Sequence, residues 1–382
     1  MKFQSYQTFW RRINKTVQDK GFPLRVMFEL TYRCNFNCRH CYIPQSYRKY
    51  GELTTSGVLS VLEQLKEAGC FYLGFTGGEP FIREDIMDIL RYSKRLGFQI
   101  IINTNGSLID EVKARELAIL RPNKVDITIP AITREAFDSI SKVAGYFDKV
   151  FRGINLLQEK RINLGFKSCV LEENKYQIKE IQDFTRSLGA LYRLDSMLWP
   201  CLDGSTQPYQ YRGRLFDNAN LRKSKTNSRE FTKANLCEGF NDKISVNSRA
   251  ISEDSRLFNC GAGQTQAAIT PLGELKMCLM IDYPKYKIKT QNQKPKTKNQ
   301  RLQEMSLKEA WQKLRKLVIS IKPDENYKCV DCELRAYCKW CPARAWLYNG
   351  TFTSCEPQSR AWAENRRSQF YPHSHILPKV RG

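Results

Sequence analysis

The stretch TYRCNFNCRHCYIP, residues 31–44, decides how this sequence is interpreted. It holds three cysteines, separated by three and then two residues: Cys34, Cys38 and Cys41. The preceding stretch RVMFEL, residues 25–30, is apolar enough to predict a buried strand, so the cysteines lie on a loop at a strand end. Thiols at such spacing indicate a metal site.

The composition is that of a globular protein. Of the 382 residues, 41% are hydrophobic and 12% are aromatic, which is typical of folded domains. No apolar run approaches the roughly 18–20 residues that a membrane-spanning helix requires. The N-terminus lacks an apolar segment followed by a small-residue cleavage site, so we predict no signal peptide, no membrane association and a cytoplasmic location.

The charge is strongly basic, with 62 Lys and Arg side chains, 39 acidic ones and a formal net charge of +23. Such a balance attracts nucleic acid, an anionic membrane surface or an acidic peptide, and dispersed surface charge explains it equally well. No nucleic-acid-binding module is recognisable, so nucleic acid is not the expected partner. The densest basic run, residues 285–301, is polar and is expected to be a mobile insertion.

Fourteen cysteines in a cytoplasmic chain are not expected to form disulfides, because that compartment keeps thiols reduced. Three of them, Cys70, Cys169 and Cys201, stand alone and are predicted to be small buried side chains. Seven more cysteines follow one another in the C-terminal third of the chain: Cys260, Cys278, Cys329, Cys332, Cys338, Cys341 and Cys355. Clustered cysteines of this kind indicate metal binding.

Strand-like and helix-like segments alternate regularly from residue 25 to about residue 200. Apolar strand patterns such as YLGFTGGEP (72–80) and KVDITIP (124–130) are followed by segments with helical spacing of apolar residues. Regular alternation predicts an α/β fold with a parallel sheet curved toward a barrel. The functional site is then expected at the C-terminal ends of the strands.

The predicted domain organisation follows the change of pattern near residue 200. An N-terminal arm (1–23) precedes the barrel (24–200), and a polar, irregular bridge (201–257) follows it. The remaining cysteines define a small domain (258–357), and a C-terminal tail (358–382) ends the chain.

Three cysteines in one loop do not fit a structural zinc site, which takes four protein ligands. His40 is the only nearby candidate for a fourth ligand, and its place in the loop makes the geometry unfavourable. An iron–sulfur cluster held by three cysteines leaves one iron free to bind something else. The C-x3-C-x2-C loop after the first strand of a partial barrel resembles the radical S-adenosylmethionine superfamily.

The resemblance implies a catalytic 4Fe–4S cluster on Cys34, Cys38 and Cys41, with S-adenosylmethionine chelated to the open iron. The reduced cluster would pass one electron to the sulfonium, and the C5′–S bond would break. The resulting 5′-deoxyadenosyl radical would take a hydrogen atom from the substrate. An external one-electron reductant of the flavodoxin or ferredoxin type is implied as a partner.

Three further strand ends match superfamily motifs that contact S-adenosylmethionine. GGEP (77–80) would receive the methionine amino group, because glycines permit close backbone approach and a carboxylate or carbonyl suits an ammonium. NTNG (103–106) would contact the ribose, and the hydroxyl in DITIP (126–130) would contact the methionine carboxylate, although Pro130 stands where the family commonly has aspartate. The predicted cofactor-binding residues are His40, Gly77, Gly78, Glu79, Pro80, Thr104, Asn105 and Thr128.

The seven C-terminal cysteines are similar in order to the SPASM extension, a domain that binds two auxiliary 4Fe–4S clusters. Its members include peptide-modifying maturases, anaerobic sulfatase-maturing enzymes and the enzyme that cross-links the pyrroloquinoline quinone precursor peptide. Paired C-x2-C motifs also make zinc ribbons, which is the alternative reading. Two residues separate Cys338 from Cys341 where the family commonly has three.

Carried over by position, the resemblance divides these cysteines between two clusters. The distal cluster would be held by Cys329, Cys332, Cys338 and Cys355. The cluster nearer the barrel would be held by Cys260, Cys278 and Cys341. Cys237 is the preferred fourth ligand of the nearer cluster, ahead of an open site that captures a substrate thiolate and of Asp254.

The implied function is oxidative modification of a ribosomally made peptide or protein, by cross-linking or side-chain oxidation. Auxiliary clusters suit this chemistry, because hydrogen abstraction followed by bond formation leaves an electron to be accepted. Leu279 stands where sulfatase-maturing members have an aspartate. The 24 residues before the first strand are too few for a leader-binding domain, so a separate leader-peptide-binding protein, or none, is expected. Radical chemistry on a small molecule or sugar is the alternative, and a nucleic-acid-modifying enzyme is the third class.

Overall fold

The computed structural model describes residues 6–213, 257–258, 260–290 and 303–370. Nine strands lie in these ranges: β1 (Arg25–Thr31), β2 (Tyr72–Gly77), β3 (Gln99–Thr104), β4 (Lys124–Thr128), β5 (Leu164–Cys169), β6 (Leu191–Asp195), β7 (Gln266–Ile269), β8 (Glu274–Lys276) and β9 (Lys285–Lys287). They form one sheet in the order β6-β5-β4-β3-β2-β1-β7-β8-β9.

Ten α-helices lie in the same ranges: α1 (Tyr6–Lys20), α2 (Thr55–Glu67), α3 (Ile86–Arg95), α4 (Glu111–Leu120), α5 (Arg134–Ser141), α6 (Phe147–Glu159), α7 (Ile178–Ser187), α8 (Leu307–Ser320), α9 (Pro342–Asn349) and α10 (Pro357–Phe370). Over the part of the chain that the structure describes, none of the helices combines the length and apolarity that crossing a membrane requires.

The strands from β1 to β6 run parallel, and helices α2 to α7 connect them. Val26, Phe28 and Leu30 of β1 are buried, since side chains of parallel strands are covered on both faces of the sheet. This arrangement confirms the predicted α/β fold, a partial (β/α)6 barrel of the TIM-barrel type. The C-terminal ends of β1 to β4 carry the cysteine loop, GGEP, NTNG and DITIP.

Local sequence signals explain where the helices begin and which face they bury. The Thr54 side chain accepts a hydrogen bond of 3.2 Å from the Gly57 backbone N–H and caps α2. Ser306 and Glu309 form a reciprocal capping box at the start of α8. The inner face of α2 has the predicted helical spacing and is fully buried: Val58, Val61, Leu62 and Leu65.

The sheet does not end where the barrel pattern ends in the sequence. Strand β7 pairs in parallel with β1, with Val26 opposite Ala267 and Phe28 opposite Ile269. Strands β8 and β9 then continue the sheet as antiparallel neighbours. The cysteine-rich α+β part of the chain is therefore joined to the barrel at the strand that carries the first cysteine loop.

The segment predicted as an N-terminal arm (1–23) contains α1, in which the Gln18 side chain donates to Gln264 over 2.6 Å and the Gln18 carbonyl accepts from Arg315. One expectation about an irregular segment is wrong for the described residues. The basic run 285–301 begins as strand β9 and not as a mobile insertion, because Lys285 lies 3.5 Å from the carboxylate of Glu274 on β8. Residues 291–301 lie outside the described ranges.

Candidate active site at the strand ends

The loop that carries the first three cysteines is fixed by backbone hydrogen bonds. The Asn37 N–H donates to the Ser141 carbonyl over 2.9 Å, and the Arg39 N–H donates to the Ile140 carbonyl over 3.1 Å. Both acceptors lie in the last turn of α5, where helix carbonyls have no partner within the helix. The loop therefore satisfies the end of α5 and takes its own shape from it.

Phe36 anchors the loop from the apolar side. Its buried ring contacts Phe137 of α5 edge-on, with ring centroids 5.8 Å apart, and Tyr146 with centroids 5.4 Å apart. The Phe36 N–H also donates to the Cys34 sulfur over 3.4 Å. One aromatic residue between two cysteines thus fixes the loop and directs a backbone donor at a thiol.

The three thiols are half-buried and act on one another electrostatically. Burial raises the pKa of Cys34 to about 11, and burial also raises the pKa values of Cys38 and Cys41. Arg48 opposes the rise in pKa at each of the three. The free thiols therefore hold their protons, and binding of a cationic metal group would release them.

Three thiols in one loop are the number of donors that an iron–sulfur cluster with one open iron takes. Among the residues that the structure describes, no group of three or more His, Cys, Asp or Glu side chains is placed to hold a metal ion. The buried Nδ1 of His40 has no hydrogen-bond partner in the described ranges, and burial lowers the pKa of His40 to about 4. A neutral imidazole thus lies beside the thiols, where the sequence predicts a cofactor contact.

The glycines of GGEP let β2 approach the cysteine loop. The Gly78 N–H donates to the Thr31 carbonyl over 2.8 Å, and a Cβ at Gly78 would lie 2.2 Å from the Arg33 carbonyl oxygen. Gly77 has φ of 136°, and a Cβ there would lie 2.2 Å from the Thr31 oxygen. The two glycines therefore permit β2 to approach the backbone beside Cys34 closely.

Glu79 is fully buried and joins two strand ends. Its Oε1 accepts hydrogen bonds from the Phe81 N–H (3.1 Å) and the Thr104 hydroxyl (2.7 Å). Its Oε2 accepts from the Asn105 N–H over 2.6 Å. Both oxygens accept hydrogen bonds inside the protein, so Glu79 joins the ends of β2 and β3. Pro80 begins the buried turn that follows it.

A ring of polar side chains joins NTNG to the cysteine loop. The Asn105 amide donates to the Asn35 carbonyl oxygen over 2.9 Å, and the Asn35 amide donates to the Ser107 hydroxyl over 2.8 Å. The Ser107 hydroxyl closes the ring by donating to Asn105 Oδ1 over 2.7 Å. Asn35 and Ser107 are not among the residues predicted from the sequence, although Asn35 directly follows Cys34, which is a usable signal.

The fourth strand end is completed by a lysine that the sequence analysis also missed. Lys167 of β5 lies opposite Thr128 of β4, and its Nζ donates to the Asn103 side-chain oxygen over 3.0 Å. Burial lowers the pKa of Lys167, and Arg193 acts in the same direction. The half-buried Thr128 is thus next to a basic group at the barrel mouth.

The seven C-terminal cysteines fall into two sets in space. Burial raises the pKa of Cys260, and Cys341 and Cys278 act in the same direction; Cys338, Cys355 and Cys332 act in this way on Cys329. Burial raises the pKa of Cys278 to about 11 and that of Cys329 to about 12. These sets have the same members as the two predicted ligand groups. Cys237 and Asp254 lie outside the described residues.

A buried ion pair holds the distal set against the barrel. Arg344 Nε lies 2.7 Å from Glu356 Oε1, and Glu356 directly follows Cys355. The Arg344 guanidinium also lies over the Trp199 ring, 5.0 Å from its centroid, at the end of the barrel sequence. Arg344 therefore ties the distal cysteines to the last barrel segment.

The three isolated cysteines differ from one another. Cys70 and Cys201 are buried, as expected, but the Cys201 thiol also donates to the Cys41 carbonyl over 3.6 Å. Cys169 is only half-buried at the end of β5, and it acts electrostatically on Cys38. The prediction of a small buried side chain is wrong for Cys169, because it lies at the open end of the barrel.

Comparison with known proteins agrees with this geometry. The Radical SAM superfamily model matches residues 28–185. The antilisterial bacteriocin subtilosin biosynthesis protein AlbA of Bacillus subtilis is 29% identical over 265 residues, which are 68% of this chain and 55% of AlbA. An AdoMet-dependent heme synthase of Methanosarcina barkeri is 23% identical over 88% of this chain and 95% of its own length.

A solved structure shows that the fold extends over both parts of the chain. Streptococcus suis SuiB bound to precursor peptide SuiA superimposes with a TM-score of 0.65 at 19% identity, over 94% of this chain and 82% of that chain. The chain spans about half the length of AlbA, 55%. Superfamily members use a 4Fe–4S cluster and S-adenosylmethionine, and the thiols of the first loop fit that cluster. Residues 28–185 are therefore a radical SAM domain, and the strands that begin the cysteine-rich part continue its sheet.

Proposed function

We propose that the protein is a radical S-adenosylmethionine oxidoreductase that cross-links or oxidises a ribosomally made peptide or protein. One observation carries this proposal: a single continuous sheet joins the strand that precedes the first cysteine set to the strands that lie between Cys260 and Cys278. The first set follows β1, and the strand next to β1, β7, begins the cysteine-rich part. A radical site with auxiliary redox centres close by suits a reaction that must dispose of an electron.

Residues at the C-terminal ends of the strands would hold the cluster and S-adenosylmethionine at the first site. Cys34, Cys38 and Cys41 would hold the cluster and leave one iron open for S-adenosylmethionine. When bound, this pair of cofactors supplies hydrogen-atom abstraction from an unactivated carbon. The protein would fix the pair and keep water out, through the half-buried cysteine loop and the following residues: His40, Gly77, Gly78, Glu79, Pro80, Thr104, Asn105 and Thr128.

The C-terminal sets would hold the two auxiliary clusters. Cys329, Cys332, Cys338 and Cys355 complete one ligand set. The other three, Cys260, Cys278 and Cys341, need a fourth ligand, for which Cys237 is our proposal. Iron content and cluster spectra of Cys237→Ala decide this point, because unchanged values would favour an open site.

The comparisons favour a peptide substrate. AlbA is named for subtilosin biosynthesis, and SuiB was solved with its precursor peptide. An external flavodoxin- or ferredoxin-type reductant is proposed to supply the electron, and a separate protein to bind the leader. The net charge of +23 would favour the binding of an acidic peptide or an acidic electron-transfer protein.

The test uses the full chain, reconstituted with iron and sulfide without oxygen. S-adenosylmethionine, a chemical reductant and synthetic peptides translated from reading frames next to the gene are added. We expect 5′-deoxyadenosine together with a peptide that has lost two hydrogen atoms, as measured by mass spectrometry. Formation of 5′-deoxyadenosine with every peptide unchanged, and a different added substrate converted, would overturn the peptide assignment.

A second candidate function is radical modification of a small molecule of the tetrapyrrole class. The full-length match to an AdoMet-dependent heme synthase favours it, since that match covers nearly all of both chains. The same reconstituted protein is incubated with an iron porphyrin that carries propionate side chains. A change in porphyrin mass that requires S-adenosylmethionine would establish this function in place of the first.

A further inference from the structure

A fully buried ion pair crosses the junction between the barrel and the cysteine-rich part. Glu29 of β1 and Lys276 of β8 have no exposed side-chain surface, and Lys276 Nζ lies 3.0 Å from Glu29 Oε2. The same Nζ lies 3.1 Å from Asp282 Oδ1 and donates to the Leu279 carbonyl over 3.1 Å. Lys276 therefore donates two hydrogen bonds, to the Leu279 carbonyl and Asp282 Oδ1, and faces Glu29 as an ion pair.

Contacts of this ion pair extend on both sides to a cysteine loop. The Tyr42 hydroxyl donates to Glu29 Oε1 over 3.3 Å, and Tyr42 directly follows Cys41. On the other side Leu279, whose carbonyl accepts from Lys276, directly follows Cys278. A continuous path of covalent and polar contacts thus runs from a ligand of the first proposed cluster to a ligand of the nearer auxiliary cluster.

Burial raises the pKa of Glu29, and the Lys276 ammonium opposes that rise. Removing an ion pair from water costs several kcal/mol per ion before the attraction is counted, and apolar residues fill such a junction more easily. Burial lowers the pKa of Lys276, but Glu29 and Asp282 more than offset this, so the lysine stays charged. Both charges act on the Cys278 thiol, and Glu29 also acts on Cys41.

We propose that Glu29 and Lys276 are positioning residues that link the two cysteine loops and tune the nearer auxiliary cluster electrostatically in opposite directions. The inference rests on the proposed function for the presence of the clusters. Reduction adds one negative charge to a cluster, so a fixed cation near Cys278 favours the reduced form and a fixed carboxylate opposes it. Electron flow between the two centres would depend on this balance.

The test measures reduction potentials of three reconstituted full-chain variants: Lys276→Met, Glu29→Gln and the double variant. Iron content is determined first, and each cluster is then titrated with titanium(III) citrate under EPR detection. Added S-adenosylmethionine shifts only the signal of the first cluster, which separates it from the auxiliary signals. Lys276→Arg keeps the cation and serves as the conservative rescue.

We expect the potential of the nearer auxiliary cluster to fall in Lys276→Met and to rise in Glu29→Gln. A tenfold change in the ratio of reduced to oxidised cluster corresponds to about 59 mV for a one-electron couple, and we expect at least that shift. The double variant should return close to wild type, and Lys276→Arg should retain the wild-type value. A purely structural pair would lower stability in both single variants without moving the potential in opposite directions.

Two results separate the inference from the function on which it rests. A wild-type protein that binds no iron overturns the proposed function, whatever the pair does. Full iron content in all variants with equal potentials overturns the inference alone. If Lys276→Met fails to fold, the double variant, in which neither side chain is charged, is compared with Glu29→Gln. Equal potentials of the nearer auxiliary cluster in these two variants would contradict an effect of Lys276.

Discussion

The two cysteine-rich regions of the protein are built in different ways. The first set lies within one short loop, held by hydrogen bonds to the end of α5 and by the ring of Phe36. The second set is spread over residues 260–355 and is brought together by strands, helices and the buried pair of Arg344 with Glu356. The first set is therefore a local unit, whereas the second exists only when the tertiary structure has formed.

This difference predicts that the first cluster can be lost without the others. We expect the triple variant Cys34→Ala, Cys38→Ala, Cys41→Ala to abolish cleavage of S-adenosylmethionine. Iron should fall from about twelve to about eight per chain, since each of the three 4Fe–4S clusters holds four irons. Iron analysis and chromatography of 5′-deoxyadenosine measure both effects. Zinc in the anaerobically purified wild type, in place of iron, is the outcome that contradicts this prediction.

The contact between GGEP and the cysteine loop allows a sharper test of the local unit. Gly78→Val places a side chain where the Arg33 carbonyl oxygen lies 2.2 Å from the new Cβ, so the loop must move. We expect loss of the first cluster, to about eight irons, while the auxiliary clusters stay. Gly51→Val is the matched control, because no atom lies within 4 Å of a Cβ at Gly51. Weaker cofactor binding with full iron content would instead support a direct contact with S-adenosylmethionine.

The fold was predictable from local patterns, and the polar contacts of the site were not. Alternating strands and helices, and a cysteine loop at a strand end, are properties of neighbouring residues. The role of Glu79 depends on donors 25 and 26 residues away, at Thr104 and Asn105, and no local pattern encodes that contact. The same holds for Glu29 and Lys276, which are neighbours only because β7 and β8 extend the sheet beyond β1.

We expect the second region to lose both stability and its distal cluster when one buried tertiary contact is removed. Glu356→Gln removes one charge of a buried pair and leaves Arg344 without its partner, which we expect to cost about 3 kcal/mol of unfolding free energy. Urea unfolding of the apoprotein measures the loss. In the reconstituted protein the distal cluster should be depleted, and cleavage of S-adenosylmethionine should continue. Glu364→Gln, in an exposed pair with Arg360, is the control and should change stability little. Equal losses in the two variants would show that the buried pair has no special role.

The smallest expected effect concerns the polar ring of Asn35, Asn105 and Ser107, which joins the cysteine loop to NTNG. Asn35→Ala leaves Asn105 and Ser107 without their partner in the cysteine loop, yet removes no proposed ligand. An unsatisfied buried polar group costs about 1–3 kcal/mol, which corresponds to roughly 5- to 150-fold weaker cofactor binding if NTNG is displaced. Equilibrium binding of S-adenosylmethionine to the reconstituted protein measures this, with iron content unchanged. Asn123→Ala removes a side-chain hydrogen bond to Gln99 on the exposed surface and should leave binding as it is. Unaltered binding in Asn35→Ala would mean that the ring is dispensable and that backbone contacts alone hold the two motifs together.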